Sequence, residues 1–281
     1  MRGPFALAVS VLLLLLLTAR AEAQLLLMRE HEREMDTGRI GIGIDTQAFF
    51  GYRLGAGYSF VQPTLMAAFR FREAVFEAAM PFGYFHESNE PGADHDQLGL
   101  GNPWFALLYL PDCECGLSRL SLGMGAPVAR GESELERSMV ALGRGVAGDW
   151  DGYLWLPEFW PLVAGASTRK EIRWLRLVWD ADLILGLPGG GRTTEFGAQM
   201  AGEADFLFGW QTTLGVRAWG ALYPTFHGDM FQSAAMLYLR YTRPHDSFSL
   251  RFTLNFDPPA GFSFRLDGMW GLGLAYVRSF L

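Results

Sequence analysis

Residues 248–257 read FSLRFTLNFD, and large apolar side chains alternate strictly with polar ones along this stretch. Its even positions carry phenylalanine or leucine, whereas its odd positions carry serine, arginine, threonine, asparagine and aspartate. Successive side chains of a β-strand point to opposite faces of the sheet. The stretch therefore predicts a strand with one apolar face and one polar face.

The same alternation recurs along most of the chain after residue 38. Between 175 and 185 the odd positions are apolar, while the even positions include Arg176, Asp180 and Asp182. An ionised side chain that faces lipid is costly, so these charges are expected to face the inside of a closed sheet. A soluble two-sheet sandwich is the alternative, but the large apolar side chains of every strand would overfill its single core. The predicted fold class is all-β, a transmembrane antiparallel β-barrel.

We predict about twelve strands, because clusters of glycine, proline and polar residues divide the alternating segments. Their approximate spans are 39–50, 57–72, 73–86, 97–110, 116–128, 155–167, 171–186, 193–209, 212–223, 229–242, 247–257 and 263–280. Short turns are expected at 71–73, 111–116, 167–171, 209–211 and 243–247, and longer loops at 86–96, 130–153 and 186–193. With an even number of strands, the first strand begins and the last strand ends on the same side of the membrane as the short turns. In outer-membrane barrels this is the periplasmic side.

The N-terminus has the features of a signal peptide. Arg2 precedes an apolar run from Val9 to Leu17, and a small-x-small cleavage site follows at 21–23. A retained helical anchor is the less favoured alternative, because the apolar run is shorter than the ~20 residues that a spanning helix needs. The predicted organisation is a signal peptide at 1–23, a periplasmic N-terminal segment at 24–37 and a barrel domain at 38–281. Export and fold together predict the cell outer membrane, with its lipid as a partner.

One region breaks the alternation. Between 132 and 150, Met139, Leu142, Val146 and Trp150 recur at spacings of three and four, which predicts a short amphipathic helix inserted in the third outer loop. Such a helix would either plug the barrel or lie on the membrane surface, and the pattern does not separate these alternatives.

Composition excludes several functional classes. The net charge is −7 with a pI near 5.3, and no basic patch stands out, which argues against nucleic acid as a partner. The sequence contains no phosphate-binding loop, no H-E-x-x-H and no dinucleotide-binding fingerprint, so we expect no cofactor and no metal. Cys113 and Cys115 are either incidental turn residues or a strained local disulfide.

The alternation assigns a set of charged residues to the barrel interior. Such mixed charge forms either a salt-bridged network that stiffens the wall or the lining of a path for small solutes, and both can hold together. The set comprises Asp45, Glu77, Arg119, Arg176, Asp180, Asp182, Glu195, Glu203, Asp205, Arg217, Arg240, Arg251 and Asp267, with Asp257 and Arg265.

A separate motif has the residue types of a serine hydrolase. In His86-Glu87-Ser88-Asn89 the spacing of two places His86 and Ser88 on one face of the third predicted strand. A histidine near a serine can act as general base for attack on an ester when a third group orients the imidazole. Asn102, on the next strand, is the candidate for that third group.

This H-x-S pattern resembles outer-membrane phospholipase A and the lipid A 3-O-deacylase, in which histidine and serine lie on the outside of a barrel. The resemblance implies lipid-ester hydrolysis, but it covers only a handful of residues. A second H-x-S, at His245-Asp246-Ser247, falls in a predicted periplasmic turn and illustrates how easily the pattern arises. We therefore commit no residue to catalysis.

The C-terminus resembles the signature of Gram-negative outer-membrane barrels, with alternating apolar residues and a near-terminal aromatic at Trp270, Leu272, Leu274, Tyr276 and Phe280. This resemblance implies recognition by the barrel-assembly machinery, although Arg278 and Leu281 depart from the signature. Segments 99–103 and 150–157 are similar to stretches in uncharacterised outer-membrane barrels, some described as transporters. The predicted function is a small channel or transporter of unknown cargo, or a structural barrel, with a lipid-ester hydrolase as the alternative.

Overall fold

The computed structural model describes residues 39–53, 56–89, 93–111, 117–129, 152–155, 157–189, 193–209, 211–223, 231–256 and 270–280. The predicted signal peptide, the N-terminal segment at 24–37, the helix at 132–150 and both cysteines lie outside these residues, so each stays a prediction. Among the residues described, no helix has the length and apolarity needed to cross a membrane.

The described part of the chain consists almost entirely of antiparallel strands. They are β1 (Ile40–Arg53), β2 (Ala56–Phe71), β3 (Ala74–Asn89), β4 (Ala93–Leu100), β5 (Trp104–Tyr109), β6 (Leu117–Gly125), β7 (Phe159–Ile172), β8 (Leu175–Pro188), β9 (Glu195–Phe208), β10 (Thr212–Leu222), β11 (Phe231–Thr242), β12 (Asp246–Asn255) and β13 (Trp270–Phe280). A single turn of 3₁₀-helix, η1, spans Gly152–Trp155.

The strands form one closed sheet. Each strand pairs with its neighbours in sequence, except that β4 and β5 do not pair with each other, and β1 pairs with β13 from Ile40↔Phe280 to Phe50↔Trp270. Strands β4 and β5 both pair with β3, one after the other, and so occupy a single position in the wall. The predicted antiparallel barrel of twelve wall positions is thereby confirmed. The closing pair β13–β1 is called the seam below.

Burial along the strands is inverted relative to a soluble protein. In β8, the charged Arg176, Asp180 and Asp182 are buried, while alternate apolar residues such as Leu183 are exposed. The same holds around the wall, where Leu122 is 63% exposed and Met200 is 68% exposed. A sheet that exposes its leucines and hides its carboxylates is matched to lipid outside and to a polar interior.

The connections define two ends of the barrel. The turn end holds the first residue of β1, the last residue of β13 and tight turns such as Arg72–Glu73. The opposite end, called the loop end, lies next to η1. One predicted turn was wrong: residues 167–171 lie inside β7, and the chain reverses at Arg173–Trp174 instead. The polar residues 167–171 lie near the rim of the barrel, beyond the apolar layer of the membrane, so the outward side chains of the strand can be polar there.

The predicted start of the sixth strand was also wrong. Trp155 lies in η1, and β7 begins four residues later at Phe159. Two predicted loops are shorter than expected, since β3 reaches Asn89 before β4 begins at Ala93, and β8 reaches Pro188 before β9 begins at Glu195.

Between β4 and β5 the wall contains one extra residue. Phe82 pairs with Leu100, but Ala79 pairs with Trp104, so three steps along β3 correspond to four steps on the other side. An extra residue of this kind is a β-bulge, and it exchanges the two faces of the strand beyond it. In β4 the even positions, such as Leu98, face lipid. In β5 the odd positions, Phe105 and Leu107, face lipid instead.

Candidate functional site inside the barrel

The barrel interior has two unlike parts, which are built from different strands. A charged network covers β6 to β11, and its members are Arg119, Glu171, Arg176, Asp180, Glu203, Asp205, Arg217, Tyr238 and Arg240. An aromatic plug, formed by Tyr153, Leu154 and Trp155 of η1, packs against inward residues of β2 and β5.

Arg217 on β10 is central to the charged network. Its Nη1 lies 2.7 Å from Asp180 Oδ2 and 3.1 Å from Glu203 Oε2. Asp180 also accepts a hydrogen bond from Arg119 Nη2 at 3.1 Å, which extends the network to β6. Arg217 is only 2% exposed and both carboxylates are buried, so the ion pairs are shielded from water. Removal of either partner would leave an uncompensated buried charge.

Tyr238 on β11 connects the second half of the network. Its hydroxyl lies 2.8 Å from Glu203 Oε1, contacts Asp205 directly, and accepts a hydrogen bond from Arg240 Nη2 at 2.9 Å. Asp205 in turn lies 3.5 Å from Nη1 of Arg176, whose Nε donates to Glu171 at the turn end. The network thus joins four arginines and four carboxylates from β6 to β11, and the charges of its members balance one another.

A separate ion pair bridges the seam. Arg251 on β12 contacts Asp45 on β1, and its guanidinium reaches over Gly273 of the intervening strand β13. A Cβ atom added to Gly273 would lie 3.0 Å from Arg251 Nε. Gly271 is covered in the same way by the ring of Phe49, to which an added Cβ would come within 2.3 Å. The inner face of β13 is therefore covered by side chains from the flanking strands β1 and β12.

The structure places most of the predicted interior residues on the inner face. All those on the described strands are buried, except Glu195, which is half-buried at the loop end of β9. Glu77 is buried on β3, and its pairing partner on β5 is Ala106. Asp182 accepts a hydrogen bond from Gln199 at 2.8 Å. Asp257, Arg265 and Asp267 lie outside the described residues.

The aromatic plug lies against the wall through ring contacts. The Tyr153 ring is centred 4.6 Å from that of Trp104 on β5, and the Trp155 ring is centred 6.0 Å from that of Phe60 on β2. Tyr153, Leu154 and Trp155 are almost fully buried. The segment η1 thus fills part of the barrel, and it carries no charge of its own.

Asn102 holds this plug through both its backbone and its side chain. Its backbone N–H donates to Leu154 O at 2.6 Å, and Nδ2 donates to Tyr153 O at 3.2 Å. Its Oδ1 accepts hydrogen bonds from the backbone N–H groups of Val128 and Ala129, each at 2.9 Å. One amide thereby ties the plug to the wall and to the segment that leaves β6.

The hydrolase hypothesis required Asn102 to contact His86, and this prediction was wrong. The bulge beside it turns its side chain inward, where it is fully buried. Asp96, directly opposite His86 in the β3–β4 pairing, lies against the imidazole instead, with its Oδ1 2.8 Å from His86 Nδ1. The Tyr84 hydroxyl donates to the same carboxylate at 2.7 Å. The orienting group next to His86 is therefore a carboxylate on the outer face of the barrel.

Sequence reasoning missed Tyr238, Gln199 and the plug. The first two could have been found, because both share the inward register of their strands with predicted charges: Tyr238 with Arg240, and Gln199 with Glu203. The plug gives no such signal, since Tyr153 to Trp155 is as apolar as a lipid-facing strand.

The interior is filled at the level of the charged network. Asp205 is 0% exposed and Arg217 is 2% exposed, so water does not reach these charges. On the lipid side, an apolar groove of about 670 Å³ lies over the small residues Ala67 and Ala78 and is walled by Phe69, Phe76 and Phe105. Lipid covers that surface in a membrane, and the groove does not lead through the barrel.

Comparison with solved structures identifies the fold. The chain is similar to an outer-membrane channel from Pseudomonas putida F1, with 15% identity, a TM-score of 0.57, and coverage of 88% of this chain and 97% of the channel. It is also similar to the NanC porin, at 8% identity and a TM-score of 0.50 over 85% of this chain and all of the porin.

A third similar structure is the translocator domain of the autotransporter NalP from Neisseria meningitidis. The identity is 10% and the TM-score 0.50, over 91% of this chain and 93% of that domain. At such identities these likenesses show the fold alone, and the fold is that of outer-membrane β-barrels. No protein-family model matches the sequence. No curated protein matches it either.

Proposed function

We propose that this protein is an outer-membrane channel for small solutes, closed at rest by the aromatic plug. The observation that carries the proposal is that η1 lies inside the barrel and accepts hydrogen bonds from Asn102 at the carbonyl groups of both Tyr153 and Leu154. A purely structural barrel can fill its interior with side chains of its own strands, as the charged network does. A separable plug favours a path that opens.

The seam is the sector best suited to such a path. The inward positions of β13 are small, including Gly271, Gly273 and Ala275. The space over them is occupied by the ends of two side chains, Phe49 and Arg251, which can rotate without a change in the wall. Movement of these two side chains would open a path along β13.

Neutral hydrogen-bonding groups border the same sector. Gln47 and Gln62 pair across β1 and β2, both side chains face inward, and both are buried. Their Oε1 atoms have no hydrogen-bond partner among the described residues. Acceptors of this kind can bind a passing polar solute or water, whereas the ion-paired carboxylates of the charged network are already occupied.

Conductance across planar bilayers tests the proposal. The intact protein should show rare, brief openings, and Asn102→Ala should raise the open probability at least tenfold because the plug loses its hydrogen bonds. Gln211→Ala is the matched control, since it removes an exposed amide at the turn end and should leave conductance unchanged. Silence of both the intact protein and Asn102→Ala at all voltages would contradict the channel function.

The contact between His86 and Asp96 favours a second candidate, a hydrolase of lipid esters at the outer wall. A carboxylate beside Nδ1 fixes the imidazole with Nε2 available to accept a proton, as in a catalytic triad. Ser88 follows His86 by two positions in β3, the spacing at which strand alternation predicts a shared face. In this candidate Ser88 is the nucleophile, His86 the base and Asp96 the orienting group.

Release of fatty acid from phospholipid or lipid A, measured with the full chain in mixed micelles, tests this candidate. Release should disappear in Ser88→Ala and fall at least a hundredfold in Asp96→Ala. Asp246→Ala, which changes an outer carboxylate at the turn end, should have no effect. Absence of release by the intact protein would eliminate the hydrolase.

A further inference from the structure

We propose that the solute of the path along the seam is a neutral molecule with neighbouring hydroxyl groups, of the class of small sugars, and that Gln47 and Gln62 bind it. These two residues are called the glutamine pair. The inference rests on the proposed channel function and adds to it the chemical class of the solute and the residues that select it.

The glutamine pair places two unoccupied acceptors side by side on the inner wall. Gln47 on β1 lies directly opposite Gln62 on β2, and side chains at such positions have their Cβ atoms ~4.5–5.5 Å apart. The residues are only 5% and 9% exposed, and the Oε1 atom of each has no hydrogen-bond partner among the described residues. Buried acceptors are normally paired, so two adjacent ones indicate a place where a donor from a ligand can bind.

The wall on both sides of the glutamine pair has no side chain of its own. Gly273 on β13 pairs with Gln47, and Gly83 on β3 lies beside Gln62 in the register of β2 and β3. The guanidinium of Arg251 lies over Gly273, and its rotation is part of the proposed path. Once it turns aside, a ligand can reach both amides from the seam without a change in the backbone.

An aromatic surface adjoins the glutamine pair on the side of the loop end. Phe49 and Phe60 pair with each other two positions further along β1 and β2, and both are buried on the inner face. The ring of Trp155, in the plug, is centred 6.0 Å from that of Phe60. On the proposed function, release of the plug frees the Phe60 ring. The apolar face of a sugar ring can then pack against it while the hydroxyl groups reach the amides.

The chemistry of the glutamine pair separates three classes of solute. An ion would lose its hydration against amides that carry no net charge, and an apolar solute would leave both amides unpaired. A neutral solute with hydroxyl groups exchanges its hydrogen bonds to water for hydrogen bonds to the amides. Two hydroxyl groups on neighbouring carbon atoms offer one donor to each Oε1 atom, which is why we commit to the sugar class.

Block of the potassium chloride current through the full chain with Asn102→Ala, in planar bilayers, tests the inference. D-glucose should reduce the current reversibly, whereas D-glucuronate, which keeps the ring but carries a carboxylate, should reduce it less. Each lost hydrogen bond should cost about fivefold, so adding Gln47→Met/Gln62→Met should raise the half-blocking glucose concentration about 25-fold. Gln232→Met is the matched control and should leave block unchanged, because this buried glutamine lies on β11, which pairs with neither β1 nor β2.

The possible failures can be told apart. A current that glucose does not block, equal block by glucose and glucuronate, or an equal loss in the Gln232→Met control would overturn the inference and leave the channel function standing. Silence of both the intact protein and Asn102→Ala would contradict the channel function, and this inference with it. Gln47→Asn/Gln62→Asn keeps both amides and should retain more of the block than the methionine variant. Folding of each variant is checked by the shift between heated and unheated samples on a denaturing gel.

Discussion

The two parts of the barrel interior differ in what holds them in place. The charged network consists of side chains that belong to the strands themselves, and the ion pairs of Asp180 and Glu203 at its centre are buried from water. The aromatic plug belongs to η1, carries no charge, and is held by ring contacts and by neutral hydrogen bonds to Asn102. The charged network is therefore built from the wall itself, whereas the plug forms no strand pair with the wall.

The largest expected effect comes from the centre of the charged network. Arg217→Met removes the cation between Asp180 and Glu203 and leaves both as buried carboxylates. Unfolding free energy should fall by about 4 kcal/mol, because the penalty falls on the charges left behind. Urea titration of the refolded barrel, followed by tryptophan fluorescence, measures the change. A loss below about 1 kcal/mol would mean that the network does not stabilise the wall.

A smaller loss of stability is expected at the clamp of the plug. Asn102→Ala leaves the backbone N–H groups of Val128 and Ala129 without their acceptor, which should cost about 3 kcal/mol. Unlike Arg217→Met, this change should also raise conductance. A variant that lost stability without a gain in conductance would show that the plug and the wall unfold as one unit.

Two glycines allow the parts to be compared by the same substitution. A Cβ at Gly215 would lie 2.1 Å from Tyr238 in the charged network, and one at Gly123 would lie 2.1 Å from Trp104 beside the plug. Each change to alanine should cost about 2 kcal/mol, because the ring must move out of a packed position. Only Gly123→Ala should raise conductance, since it displaces the ring that contacts Tyr153. Equal conductance changes in single-channel recordings would remove the distinction between the two parts.

The smallest effect is expected for an ion pair at the rim. Arg278→Gln breaks an exposed contact of 3.8 Å with Asp246 and should change stability by about 0.5 kcal/mol or less in neutral detergent. The same urea titration measures it, and added salt should reduce the difference further. If Arg278→Gln lowered the unfolding free energy as much as Arg217→Met, burial would not explain the larger contribution of the interior ion pairs to stability.

These two parts also differ in how far the sequence predicts them. The strict alternation in β8 and β12 predicted the strands and the inward register of Arg176 and Asp180. A polar side chain at every second position matches the two-residue period of a β-strand and not the period of a helix. The plug was not predicted, since Tyr153 to Trp155 is apolar and a lipid-facing segment would look the same. Trp155 was accordingly assigned to a strand that begins only at Phe159.

The error at Asn102 has a different physical origin. Residues 101–103 read as the middle of one strand, and counting by twos across them places Asn102 on the outer face. The register on β3 shows the extra residue, but that register depends on contacts between distant segments, which a single sequence does not contain. Asp96 could have been paired with His86 only once the β3–β4 hairpin was known.

The bulge beside Asn102 also bears on how this wall tolerates changes in length. Strand β5 is apolar on both faces, with Trp104 and Leu108 inside and Phe105 and Leu107 outside. Deletion of one residue from 101–103 would swap these faces and would turn Trp104 and Leu108, which are largely apolar, toward the bilayer. The barrel would close and insert, yet the seat of the plug would be gone, so on the proposed channel function the loss of one residue at this position would leave the barrel open.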